Sequence, residues 1–201
     1  MIRENCPLVL ACSPRKGGNC DLAASLVHKA VEGSRLLFLR DTAVAPCVSC
    51  GSCATPHAHC PQEQTDASAP LFAALERASA LVIVAPVYFY HIPAQLKSLV
   101  DRTQICWRAK QATAAAGGSF PPSRPAWSVL VGARPTGAKL FEGSLLTLRY
   151  WFDALGYTPG APLTLYGLDG PADLAGSQTQ QKAVRQYAAK TILPHLFADT
   201  A

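Results

Sequence analysis

Five short stretches of this chain are apolar almost from end to end: Pro7–Cys12, Leu36–Leu39, Ala80–Val87, Trp127–Val131 and Leu163–Tyr166. A strand with one wet face alternates polar and apolar residues. A run without alternation needs both faces covered, as in a parallel sheet lying under helices. Helical patterns fill the gaps between the runs. Asn19–Glu32 sets Leu22, Leu26 and Ala30 on one face, with Gly33 as a stop. Phe72–Ala78 is a shorter helix, and Leu96, Leu99, Val100 and Thr103 repeat at helical spacing. Phe141–Leu155 ends at Gly156, and Leu174–Leu193 is limited by Pro194. Strands that alternate with helices predict a doubly wound α/β domain. The five-stranded version is a flavodoxin-like parallel sheet of order 2-1-3-4-5 with helices on both faces and ligands outside the carboxyl ends of the strands.

The whole chain of 201 residues reads as one such domain. Two segments interrupt the alternation. One is a cysteine-rich insertion at about residues 44–66. The other, Ala109–Pro125, carries Gly117-Gly118 and three prolines and reads as a flexible loop, either a linker or a substrate lid. With 49% hydrophobic and 15% charged residues the chain is not disordered, and a net charge of +5 without a basic run argues against nucleic acid or membrane as partner. No apolar run approaches the roughly 20 residues of a membrane span. Val9-Leu10-Ala11-Cys12 looks like a lipoprotein cleavage box, but the apolar stretch before Cys12 is short and Glu4 offsets Arg3. The segment reads instead as a buried first strand of a cytoplasmic protein, where clustered cysteines point to metal or redox chemistry more than to disulfides.

Ser13-Pro14-Arg15-Lys16-Gly17-Gly18-Asn19-Cys20 follows the first strand and opens a helix. It is neither GxGxxG nor GxxxxGK[ST], yet it delivers free backbone N–H groups to the positive end of a helix. Ser13 and Asn19 add hydrogen-bonding side chains, and Arg15 adds a planar cation suited to phosphate. An ordinary capped turn would share these features. At the end of the third strand, Pro86-Val87-Tyr88-Phe89-Tyr90-His91-Ile92-Pro93 makes a rigid aromatic shelf, which either packs the core or carries a flat ring.

Together these two segments resemble the NADPH-dependent FMN reductase family. There a Ser-x-Arg-x-x-Gly-Asn-Ser/Thr loop holds the FMN phosphate, and a Pro-x-Tyr-Phe/Trp loop leads into an Ile-Pro-x-x-Leu-Lys helix ending in Asp-Arg. The resemblance implies FMN phosphate at Ser13, Arg15, Gly18, Asn19 and Cys20, and the flavin ring at Pro86, Val87, Tyr88 and Phe89. Lys97-Ser98-Leu99-Val100-Asp101-Arg102 continues the pattern. Gly132-Ala133-Arg134 occupies the third flavin loop, so Gly132 and Arg134 complete the implied site. Two residues depart from the family: Cys20 replaces a hydroxyl, and Tyr90 stands where glycine is usual.

Cys47, Cys50, Cys53 and Cys60 form C-x2-C-x2-C-x6-C, closed by Pro61. Bacterial ferredoxins use C-x2-C-x2-C-x3-C-P to surround an iron–sulfur cluster. Three readings are open: a cluster, free or redox-active thiols, and tetrahedral zinc with or without His57 or His59. Within the resemblance, the motif is similar to that of the iron–sulfur flavoproteins, which carry FMN and a 4Fe-4S cluster. This implies an electron-transfer oxidoreductase with no protein acid or base as catalyst. Its redox partner would be NAD(P)H or a small ferredoxin-like electron carrier. The family also implies a homodimer or homotetramer, with one subunit's cluster facing a neighbour's flavin. A cluster-free NAD(P)H-dependent FMN or quinone reductase is the first alternative. A non-catalytic zinc-stabilised or redox-sensing flavin-binding protein is the second.

Overall fold

The computed structural model describes residues 5–54, 59–119 and 123–196. Its strands β1 (Leu8–Ala11), β2 (Arg35–Phe38), β3 (Leu81–Pro86), β4 (Arg124–Val131), β5 (Tyr157–Pro159) and β6 (Leu163–Leu165) form one sheet. The order is β2-β1-β3-β4-β5, with β6 also on β4 and all pairs parallel. This is the flavodoxin-like arrangement. The central strands β1 and β3 are buried along their whole length, which is why they carry no alternation.

Successive side chains of each strand point to opposite faces. Leu8, Leu10 and Ile83 pack with Leu75 of α2 (Ala69–Arg77), Leu99 of α3 (Ala94–Arg102) and Phe152 of α5 (Glu142–Ala154). On the other face Val9, Val82, Val84 and Trp127 meet Ala23 and Val27 of α1 (Asn19–Ala30) and Val184 of α7 (Gln178–Tyr187). A fully buried Leu or Val contributes about 1.5–3 kcal/mol, so these two layers are the main favourable contribution to folding.

Leu26 of α1 is buried, with Leu22 and Ala30 packed against the same cluster as expected, and Ala23, Ala24 and Val27 widen that face because α1 must also seat against α7. Three expectations need correction. The fifth strand is two pieces. Tyr157–Pro159 pairs with the start of β4 and Leu163–Leu165 with its end, interrupted at Gly160-Ala161-Pro162. At Gly160 a Cβ would lie 2.3 Å from the Trp127 indole nitrogen, so only glycine allows the chain to cross that buried ring. Ala109–Pro125 is not a loop throughout, because α4 (Gln104–Ala115) occupies its first half. That helix is rich in alanine and buries no residue fully, so it has propensity without an apolar stripe to announce it. The C-terminal helix is broken at Ser177 and continues through a π turn at Ala188–Ile192 into the short α8 (Leu193–Leu196). Pro194 therefore sits inside the last helical turn; the wider turn accommodates its missing N–H donor. The short helix α6 (Asp173–Gly176) precedes the break. Among the described residues no helix is long and apolar enough to cross a membrane.

Candidate functional site

The carboxyl ends of β1, β3 and β4 open on one cleft of about 190 Å³. Ser13, Arg15, Gly18, Asn19 and Cys20 line one side and Pro86, Val87 and Tyr88 another. The helix ladder of α1 starts with Leu22 N–H donating to Gly18 O at 3.1 Å, so the amides of Asn19, Cys20 and Asp21 lie ahead of it. Ser13 Oγ accepts from Arg15 N at 3.1 Å and shapes the turn. The Asn19 side chain is bonded within the protein. Its Nδ2 donates to Leu168 O (3.2 Å) and Gly170 O (2.8 Å), and its Oδ1 accepts from Leu174 N. The side chain staples the loop to residues 168–174, leaving its backbone amide for an anion.

Burial, reinforced by Asp21 and opposed by Arg15 and Ser13, pushes the Cys20 thiol up to about 12. Cys20 is therefore a neutral thiol at ordinary pH and brings no negative charge against a phosphate. Two residues that sequence reading passed over brace the loop. Asp21 Oδ2 accepts from Gly17 N at 2.7 Å, and its Oδ1 pairs with Arg40 Nη1 at 2.8 Å. Arg40 lies over the Phe38 ring and also donates to Ser13 O and Arg15 O at 3.4 and 3.5 Å. The bracing spans the ends of β1 and β2, which are adjacent only in the folded sheet.

The aromatic shelf is a two-residue hairpin. Tyr88 N donates to His91 O at 2.9 Å and His91 N to Tyr88 O at 3.0 Å. The central residues Phe89 and Tyr90 have φ of 50° and 65°, the left-handed region that bulky side chains avoid. Such residues cost on the order of 1–3 kcal/mol each and persist only where neighbours over-determine them. Here Tyr90 O sits where a Cβ on Gly143 would be 2.7 Å away, so glycine in α5 admits the turn. Arg134 donates to the Tyr90 hydroxyl and lies 5.6 Å from its ring, and Thr147 Oγ1 is 3.0 Å from His91 Nε2. Phe89 is fully solvent-exposed and stands outside the lining of the cleft. Gly132 and Arg134 also stand outside that lining, which takes Ala133, Leu168 and Asp169 instead. The last two come from Leu168-Asp169-Gly170 after β6, whose only sequence signal was its place past a strand end.

The cysteine segment leaves the sheet after β2 and returns at α2. Cys47 and Cys50 are exposed, Cys53 is half-buried and Cys60 is buried. Hydrogen bonds from Ser52 pull the Cys50 thiol below its ordinary value. Burial raises that of Cys53, and the Cys60, Cys47 and Cys50 thiols push it the same way. Four soft thiols on one loop are a donor set that fits iron. Among the described residues, however, no three His, Cys, Asp or Glu side chains converge on a common centre. His57 lies outside the described residues, and His59 is exposed.

Arg102, 1% exposed, underlies this loop. Its Nη1 donates to Asp66 Oδ2 at 2.6 Å and to Ala45 O at 3.2 Å, its Nη2 to Ser68 Oγ at 3.1 Å, and its Nε to Cys60 Sγ at 3.1 Å. Burial opposes its charge, but Asp66 and Cys60 more than offset this, so it stays a cation. Burial likewise raises Asp66, yet hydrogen bonds from Ser68, Ala45 and Arg102 win and bring it down to about 2, against an ordinary 3.8. A carboxylate depressed in this way stabilises the fold above its ordinary value, and the contribution is lost as pH falls toward the folded value. Stability should therefore decline between about pH 4 and pH 2, and Asp66→Asn should flatten that slope. Urea unfolding at half-unit pH steps checks it.

The family model for NADPH-dependent FMN reductases matches residues 8–126, which include the phosphate loop, the cysteine segment and the aromatic turn. An iron–sulfur flavoprotein from Methanosarcina thermophila is 33% identical over 100 residues, covering 48% of this chain and 51% of that protein. The match thus spans about half the length of that relative. An NAD(P)H:quinone oxidoreductase from Methanothermobacter marburgensis superimposes with TM-score 0.67 at 15% identity, over 90% of this chain and 93% of that one. An FMN-dependent NADH-azoreductase from Bacillus anthracis gives 0.61 at 16% identity, over 92% and 99%. These two likenesses carry the fold. With the family model covering more than half of its length, the chain belongs to the NADPH-dependent FMN reductase family of flavoprotein oxidoreductases.

Proposed function

We propose that this chain is a single FMN-binding domain that passes electrons between FMN and an iron–sulfur cluster on Cys47, Cys50, Cys53 and Cys60. The observation that carries the FMN half is the convergence of the phosphate loop and aromatic turn on one cleft at the strand ends. When bound, FMN supplies two-electron chemistry and a cluster one-electron chemistry. The protein's own part is positional. The amides of Asn19, Cys20 and Asp21 and the cation of Arg15 would hold the phosphate, Pro86–Tyr88 would support the ring, and Gly132 and Arg134 would brace its edge through Tyr90 and β6.

The relative's name and the four-thiol donor set support the cluster. The separate placement of those thiols favours, as a second reading, a cluster-free NAD(P)H-dependent reductase. NAD(P)H or a small ferredoxin-like carrier is the proposed donor or acceptor. Exposed Trp107, Leu146 and Tyr150 along a groove of about 530 Å³ between α3, α4 and α5 support a homodimer or homotetramer. Eight free cysteines suit a reducing, cytoplasmic setting.

Anaerobic purification with counts of flavin, iron, sulfide and zinc tests the reading. FMN should be released, and a chain that refuses FMN at micromolar concentration overturns it. Arg15→Ala should weaken FMN about ten- to a hundredfold, since a charge-assisted hydrogen bond is worth roughly 1.5–3 kcal/mol. The helix N-terminus keeps the remaining attraction. Flavin fluorescence titration measures it, and an unchanged dissociation constant would place the phosphate elsewhere.

A further inference from the structure

α3 starts directly after the aromatic turn and ends on Arg102. At about 1.5 Å per residue it is a rod of roughly 13 Å whose ends serve two different loops. Its first end leaves the Tyr88–His91 hairpin at the cleft, and its last residue enters the base of the cysteine segment. We propose that Arg102 is a positioning residue that pre-sets Cys60 as the anchored ligand of the cysteine loop, through its Nε–H···Sγ bond, and ties that loop to the flavin shelf. The consequence for a cluster rests on the function proposed above; the geometry does not.

A guanidinium is planar, so its donors cannot be aimed independently. Nη1 is held by Asp66 and Ala45, Nη2 by Ser68, and the Phe72 ring lies 5.8 Å from the guanidinium carbon. With both Nη groups committed, the direction of Nε is determined, and Cys60 Sγ lies along it at 3.1 Å. Asp66 balances the charge with both side chains nearly inaccessible, so the pair brings no net charge to the sulfur's surroundings. Cys47 and Cys50 are held differently. Both are exposed, and their sulfurs have a backbone amide and a serine hydroxyl at 3.4 Å. One of the four thiols is therefore in place before any metal arrives. A donor on a ligand sulfur also withdraws electron density from it, and hydrogen bonds to sulfur are among the factors that set cluster potentials.

The test uses the full chain in two states. In metal-free protein, alkylation with iodoacetamide is followed cysteine by cysteine by peptide mass spectrometry. Cys60 should react at least tenfold more slowly than Cys47 and Cys50. Arg102→Lys keeps a cation against Asp66 but loses the planar fork, and should erase most of that protection. Ser68→Ala removes the Nη2 partner and should preserve it. Arg102→Gln combined with Asp66→Asn removes the donor without leaving a buried charge unpaired, and should behave like Arg102→Lys. In protein reconstituted with iron and sulfide, a redox titration should show a more negative midpoint for Arg102→Lys and no change for Ser68→Ala. Equal alkylation of Cys60 and Cys47 in the metal-free parent, which needs no variant, overturns the proposal. So does an Arg102→Lys protein with both protection and midpoint unchanged. If the metal-free pattern holds but the parent takes up no iron, the cluster reading fails and the anchoring of Cys60 stands.

Discussion

On the proposed cluster reading, Cys50→Ala is expected to leave the chain with FMN and without iron. Cys50 lies between the two short gaps of C-x2-C-x2-C and is exposed. Ser49 and Gly51 on either side of it have φ of 53° and 80°, bending the backbone around it. Its removal leaves three thiols where a cluster of about four irons takes four, with one iron open to solvent and oxidation. Cys60 remains anchored on Arg102, so the loss is of a ligand and not of the loop. The cost in stability should stay within about 0.5 kcal/mol, as for surface substitutions that break no special contact. The cleft proposed for FMN is built from β1–α1 and β3–α3 and the segment after β6, none of which includes Cys50. Iron, sulfide and flavin per chain, measured anaerobically, give the first readout. Rapid kinetics give the second: reduction by NADPH should survive, and transfer to a one-electron acceptor should not. Zinc in the parent, or neither metal nor sulfide, would pass the case to the cluster-free reductase. Loss of FMN together with iron would make the cysteine loop a structural staple of the cleft as well.

Asn19→Ala should have the largest effect on the fold and the cleft together. Three hydrogen bonds disappear from a residue 7% exposed. They leave the carbonyls of Leu168 and Gly170 and the amide of Leu174 without that partner. A buried group left unsatisfied costs about 1–3 kcal/mol, so a total near 3 kcal/mol is expected after relaxation. For a chain of this size that is a fall in Tm of roughly 6–12 °C. Because Leu168 and Asp169 line the same cleft as the phosphate loop, FMN affinity should fall further than in Arg15→Ala. Asn19→Asp is a sharper probe. It keeps the acceptor for Leu174 N but sets a carboxylate against two carbonyls and an incoming phosphate, so FMN binding should suffer even more than in Asn19→Ala. Urea unfolding with and without FMN separates the two effects. Stability within about 0.5 kcal/mol of the parent would mean that the staple is dispensable.

What could be read along the chain was whatever depends on neighbours in sequence. A strand covered on both faces must be apolar at consecutive positions, so β1, β3 and β4 were visible as runs, and their alternation with helices led to the 2-1-3-4-5 sheet. The phosphate loop and the aromatic turn are each contiguous, so their residue types could be read together, and eight of the eleven cofactor residues expected do line one cleft. The cysteine spacing was equally plain. Where a signal was weak, the physical cause is specific. α4 has alanine propensity and no stripe, and the fifth strand is cut by a glycine whose reason is a ring far away in sequence, Trp127. The folded sheet alone decided the rest. The Asn19 side chain staples the loop to residues 168–174 because they arrive beside it once β6 has paired with β4. Arg40 reached the phosphate loop because β2 lies against β1, and Arg134 met Tyr90 because β4 lies against β3. Arg102 met Cys60 across a separation of 42 residues because α3 carries it under the loop. Such partners are chosen by which strand ends the sheet brings together, and a buried polar group takes the partner that packing places within about 3 Å, whatever its distance along the chain.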